Sequence, residues 1–236
     1  AMAMRIIESS KKMDFLLIIR EIGSLSRFFR KNVRGAPMAE IGPPGQKGWL
    51  PLLPKDPIDI SLFGTEPEPP MVESRIDLKI GFSCNNLCRF CVQGKKRYRF
   101  APPPTDKLKK DLRDGRKTAD GVVFTGGEPT LRKDLLELVS HARELGYRTV
   151  QIQTNGRVFA SKRACRDAVA AGATEFSPAL HGHTAALHDY LTRAPGSFGQ
   201  TVAGIRNLKD LGQVVLTNSV VNRPNFRNLP DLASLL

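Results

Sequence analysis

The chain has no apolar run long enough for a membrane. Phe15-Leu-Leu-Ile-Ile19 is five residues, far short of the ~20 a spanning helix needs. Cysteine is scarce too, at four in 236 residues, which excludes the dense, paired set of a secreted disulfide scaffold. No small-residue cleavage site follows the apolar run, so no secretory leader is read and the cytoplasm is expected. Acidic residues are outnumbered, 23 against 36 Lys and Arg, for a formal charge of +13. Aromatics make up only 7% and no RNA-binding motif is present, which leaves nucleic acid as the runner-up partner for that charge. The length itself suits one large core, or a core with an appendage.

The sequence divides into three zones. Residues 5–35 carry Phe15, Ile18, Ile19, Ile22, Leu25 and Phe29 at helical spacing, with Lys and Arg opposite, which predicts an amphipathic basic helix within a 1–35 segment. It would dock on its own domain or a partner, or lie on an anionic membrane surface. Residues 36–74 hold Pro37, Pro43, Pro44, Pro51, Pro54, Pro57, Pro67, Pro69 and Pro70, which predict an extended connector or a disordered tether. From residue 75 the pattern alternates. Strand signals fall at Ile76–Phe82, Gly121–Thr125, Thr149–Gln153, Glu175–Leu180 and Val214–Val221. Helical patterns fall at Asp106–Arg113, Leu131–Leu145, Ser161–Ala171, Phe198–Leu211 and Leu229–Leu236. Such alternation implies an α/β fold with parallel strands and right-handed crossovers.

Cys84, Cys88 and Cys91, spaced C-x₃-C-x₂-C, follow the first of these strands. Four thiolates would close a metal site; three leave one position open to bind and react. A structural zinc knuckle is the alternative, with His181, His183, His188 or Cys165 as fourth ligand. Zinc motifs usually pair two short clusters, however, and no second Cys-x-x-Cys or His-x₃-His follows. Cys165 sits in a helical pattern and reads as an inert core residue.

Polar or glycine-rich residues then recur after every strand: Gly126-Gly127-Glu128-Pro129, Thr154-Asn155-Gly156, His181-Gly182-His183 and Asn222. Parallel sheets and barrels bind ligands at the C-terminal ends of their strands, so these loops share one rim. Paired glycines admit close backbone approach, and Glu128 offers a carboxylate to a cation.

Cys84-Asn-Asn-Leu-Cys88-Arg-Phe90-Cys91 resembles the radical S-adenosylmethionine (SAM) signature, aromatic residue before the third cysteine included. The resemblance spans about two-thirds of the chain and is nearest to the MoaA- and SPASM-like branch. It implies a partial (β/α)₆ barrel over 75–236, incomplete at its C-terminal end, and a [4Fe–4S] cluster on the three cysteines. The open iron would chelate the amino and carboxylate groups of SAM. One electron would then break a carbon–sulfur bond, and the 5′-deoxyadenosyl radical would abstract hydrogen from an unidentified small-molecule or peptide substrate. An open cluster also favours a reducing compartment.

The resemblance assigns Phe90 to the adenine, Gly126, Gly127, Glu128 and Pro129 to the SAM amino group, and Thr154 and Asn155 to the pocket wall. Ala179 stands where a SAM-contacting serine is common, with Ser177 two residues earlier on the same strand face. Arg193 is the candidate for the SAM carboxylate, displaced by one position. His181, His183 and His188 are candidates for acid–base work. The run Lys95-Lys-Arg-Tyr-Arg99 reads as a solvated face, or as a landing site for an acidic reductase such as flavodoxin or an acidic substrate. Competing readings are a non-catalytic or electron-transfer iron–sulfur protein and a zinc-stabilised binding module.

Overall fold

A computed structural model describes residues 74–236, and before them the backbone of three short strands: β1 (Phe15–Ile18), β2 (Met38–Glu40) and β3 (Trp49–Pro51). The main sheet is parallel and five-stranded. It contains β4 (Arg75–Lys79), β5 (Gly121–Thr125), β6 (Thr149–Thr154), β7 (Glu175–Pro178) and β8 (Val214–Val215), in spatial order β4-β5-β6-β7-β8. The crossovers carry α1 (Thr105–Arg116), α2 (Leu135–Glu144), α3 (Lys162–Ala170), α4 (Ala185–Thr192) and α5 (Ser197–Asp210). After β8 come β9 (Asn218–Val221) and α6 (Leu229–Leu235).

Period-two alternation divides the sheet into two faces. Leu78, Val122, Phe124, Val150, Ile152 and Phe176 belong to one buried core with Leu108 and Leu112 of α1 and Leu138 and Val139 of α2. Burial of each such side chain contributes roughly 1.5–3 kcal/mol, so this face holds the helices on. The opposite face carries Arg75, Gln151, Gln153, Glu175 and Ser177. Arg75 makes a bidentate pair with Glu175 at 2.6 and 3.2 Å, and Gln151 Nε2 donates to the same carboxylate at 2.9 Å. Gly121 permits this tie between the first and fourth strands, because a Cβ there would collide with the Arg75 stem.

Three elements depart from the sequence reading. The single strand expected over 214–221 is two strands. Leu216 N–H still donates to Phe176 O, but β9 keeps only a parallel bridge from Asn218 to Ala179 and pairs antiparallel with β1. An edge strand with unpaired backbone groups takes a partner when one is available. Helix α4 has no counterpart among the helical patterns of the sequence; Thr184 caps it by accepting from Leu187 N–H. In the helix expected over 5–35, Phe15–Ile18 are a strand, since four successive apolar residues can cover both faces of one. The rest of that helix lies outside the described residues. So does most of the 36–74 connector. Residues 21–72 form a separate unit, described only at the antiparallel pair β2–β3. Among the described residues no helix is long and apolar enough to cross a membrane.

Candidate active site on the strand rim

Because β4–β7 are parallel, the loops that leave their C-terminal ends lie side by side. The first two are joined by backbone contact. Gly127 N–H donates to Gly81 O at 2.9 Å and Glu128 N–H to Ser83 O at 2.7 Å. Gly126 has φ of +143°, and a Cβ on either glycine would collide with backbone oxygens of residues 81–83. The glycine pair therefore seats its loop directly against the start of the cysteine loop.

Glu128 is 4% exposed. Its Oε1 accepts from Thr130 N–H at 3.1 Å, Thr130 Oγ1 at 2.6 Å and Thr154 Oγ1 at 2.7 Å, and its Oε2 from Asn155 N–H at 2.6 Å. Burial pushes its pKa up, against the pull of these donors. A carboxylate has about four lone-pair sites, and one on Oε2 is left over. The second and third loops are thus joined through one side chain. The third loop in turn grips the first, where Asn155 Nδ2 donates to Asn85 Oδ1 at 2.6 Å.

All three cysteines of the motif are half-buried and unpaired in disulfides. Asn86 N–H points at Cys84 Sγ at 3.4 Å. Burial, then the neighbouring Cys84 and Cys91, push the Cys88 thiol up to about 12. Burial likewise raises Cys84, whereas the Arg97 guanidinium favours both thiolates. Crowded thiols that resist ionisation fit a site where a metal group supplies the compensating positive charge. Among the described residues no three His, Cys, Asp or Glu side chains close on a single ion; an iron–sulfur cube takes each thiolate on a different iron. Cys165 stands apart, fully buried in α3 with its Sγ donating to Phe159 O at 3.1 Å.

Phe90 meets His181 edge-on, with ring centroids 4.7 Å apart. His181 stacks on His188 at 5.8 Å, and His188 Nδ1 accepts from His181 N–H at 3.1 Å. His181 Nδ1 accepts from Val220 N–H at 3.2 Å. Both rings are therefore neutral, with the proton on Nε2. Burial pushes His181 down to about 3 and His188 to about 4. An unfolded chain protonates histidine near 6.5, so acid favours unfolding. Their contribution to stability is full above pH 6.5 and is lost as pH falls, at about 1.4 kcal/mol per pH unit for each histidine, down to about pH 4 for His188 and about pH 3 for His181. Imidazole NMR at pH 5 should show both rings still neutral; a charged ring at that pH would contradict the packing.

The remaining candidates are less concentrated. Ser177 is 7% exposed on β7. Arg193 is exposed and left-handed, with φ of 53°, at the end of α4. His183 Nδ1 is buried without a hydrogen-bond partner among the described residues. A cleft of about 420 Å³ opens on the rim, lined in part by Ser83, Thr125, Glu128, Pro129, Arg132 and Asp134. Arg132 braces it, donating to Ile80 O, Pro103 O and Asp134. Nothing in the motif pattern singles out Arg132 or Arg157; the only signal is their place just after a rim loop.

A partial α/β barrel with three cysteines after its first strand and a glycine–carboxylate loop after its second brings thiols and a buried carboxylate together on one rim. The Radical SAM superfamily profile matches residues 78–236, and the chain belongs to that superfamily. It is 32% identical over 158 residues to the AdoMet-dependent heme synthase of Nitratidesulfovibrio vulgaris, covering 65% of this chain and 42% of that protein. It is 34% identical over 160 residues to the probable GTP 3′,8-cyclase of Saccharolobus solfataricus, covering 66% and 50%. The chain thus spans half or less of the length of these relatives. SuiB of Streptococcus suis, solved with its precursor peptide SuiA, shares the fold at a TM-score of 0.59 and 18% identity, over 68% of this chain and 36% of that one.

Proposed function

We propose that residues 75–236 are the radical-generating core of a radical SAM enzyme, with 1–35 and 36–74 as preceding segments. Cys84, Cys88 and Cys91 would hold a [4Fe–4S] cluster, leaving one iron for SAM. When bound, that cluster supplies the electron that cleaves SAM reductively to a 5′-deoxyadenosyl radical, which takes hydrogen from the substrate. The observation that carries the reading is the joining of three rim loops around Glu128, within one peptide of the cysteine loop.

The chain's own residues divide the work. Gly126 and Gly127 hold the second loop against the first, and Glu128 and Pro129 define the wall on which the SAM amino group would rest. Thr154 and Asn155 stiffen that wall, Phe90 offers a face to the adenine, and Ser177 lies on the inner strand face below. The buried, neutral His181 and His188 exclude water beside Phe90. The substrate is a small molecule or a peptide. Anaerobically reconstituted protein given SAM and dithionite should release 5′-deoxyadenosine; an intact cluster that releases none would overturn the assignment.

The electron must come from outside. Lys95, Lys96 and Arg99 are exposed beside the cysteine loop, with Val92, Tyr98 and Phe100 exposed among them. Arg97 is turned inward, donating to Asn86 O at 2.7 Å and Gly94 O at 3.2 Å, so the docking charge resides in the other three. An acidic reductase such as flavodoxin fits this patch. Reversing Lys95, Lys96 and Arg99 to Glu should slow flavodoxin-driven SAM cleavage, most at low salt, where steering is least screened. Dithionite-driven cleavage should hardly change. Equal slowing with both reductants would assign the run to fold or substrate instead.

A further inference from the structure

Asn85 and Asn86 lie between two cysteines of the motif and have no thiol of their own, yet the rim holds them from several sides. Arg157, just after the third strand's loop, donates through Nη1 to Asn85 O at 2.7 Å and to Asn86 Oδ1 at 2.9 Å. Its Nε donates to Gln200 Oε1 at 2.6 Å, which fixes the plane of the guanidinium. Arg97 takes Asn86 O at 2.7 Å and Asn155 takes Asn85 Oδ1 at 2.6 Å. Asn86 is only 3% exposed. The carbonyl of Asn85 and the N–H of Asn86 belong to one planar peptide group. Its oxygen accepts from Arg157, and its N–H points at Cys84 Sγ at 3.4 Å.

We propose that Arg157 is a positioning residue for the iron–sulfur cluster: acting through the Asn85–Asn86 peptide, it sets the N–H···S bond on Cys84 and so how readily the bound cluster accepts its electron. This rests on the functional reading above. A cation on the carbonyl side polarises the peptide and strengthens the N–H donor on the other side. Arg97 on the Asn86 carbonyl and Asn155 on the Asn85 side chain hold the groups on either side of that peptide, which keeps the donor aimed. Among the described residues Arg157 has no carboxylate partner, so its charge is not cancelled nearby. Hydrogen bonds to cluster sulfurs and the charge around them are what set iron–sulfur potentials. Both favour the more negative, reduced form.

Redox titration of the anaerobically reconstituted protein, followed by EPR, tests the inference. Arg157→Gln should make reduction about tenfold less favourable, a shift of about 59 mV to more negative potential for one electron. Arg157→Lys keeps the cation but not the two-pronged grip and should lose about threefold, with the EPR line shape closer to wild type. Iron release to a chelator should follow the same order, slowest in wild type. Where the Gln variant fails to take up cluster, the Lys variant still provides the comparison. A wild-type potential in both variants overturns the inference alone, whether or not their unfolding midpoints drop. A wild type that takes up no cluster overturns the functional reading, and this inference with it.

Discussion

Cys84→Ala, Cys88→Ala and Cys91→Ala should each abolish stable cluster uptake, whereas Cys165→Ala should leave it unchanged. Anaerobic analysis of the wild type should return about four irons and four sulfides per chain, as one cube requires. The contrast follows from placement. The three rim cysteines are half-buried, and burial together with Cys84 and Cys91 raises the pKa of Cys88, whereas Cys165 is fully buried on α3 and bonded to Phe159 O. The Cys165 variant loses one small buried sulfur and should pay for it only in stability. Stoichiometric zinc in the wild type, or loss of iron from the Cys165 variant, would remove the basis of the assignment.

The second large effect is expected at Glu128. Removing its carboxylate strands four donors, from Thr130 twice, Thr154 and Asn155. Each buried donor left unpaired costs about 1–3 kcal/mol, so Glu128→Ala should be badly destabilised. Glu128→Gln keeps the volume and one acceptor oxygen and is the more informative variant. It should still take up cluster while its SAM affinity falls about ten- to a hundredfold, or roughly 1.4–2.8 kcal/mol. The loss would have two sources: the weaker acceptor for the SAM ammonium, and a loosened joint between the second and third loops. Titrating SAM against the EPR signal of the reduced cluster separates them from a purely structural role. An unchanged SAM affinity in a variant with a lower unfolding midpoint would make Glu128 a joint and nothing more.

The alternating pattern was legible because burial on one face of a sheet imposes it locally. Val122, Phe124, Val150 and Ile152 all face the helices, and the strands they mark lie where the alternation puts them. Boundaries governed by long-range pairing were not legible. The run Val214–Val221 is β-rich, with Thr217, Asn218 and Ser219 in its middle, and β9 is a separate strand paired with β1. Helix α4 leaves little sequence signal because it is short, with His188, Leu191 and Thr192 buried rather than a clean apolar stripe.

The sequence by itself determined the chemistry that the rim could carry: three thiols at a set spacing, a glycine–carboxylate loop one strand later, and a polar loop after each further strand. Such signals are local, since a loop's ligand types and glycines depend on its own few residues. Only the tertiary structure decided how those residues divide between binding and support. Glu128 reads in the sequence as a carboxylate free for a ligand; in the fold it is nearly saturated by its own neighbours. Arg97 reads as one of a run of surface charges, and the fold turns it inward onto Asn86 O. Arg157, 71 residues from Asn86, has no sequence relation to the cysteines at all. Parallel strands bring such distant loops to one edge, and a hydrogen bond across that edge depends on strand register, which no local pattern contains.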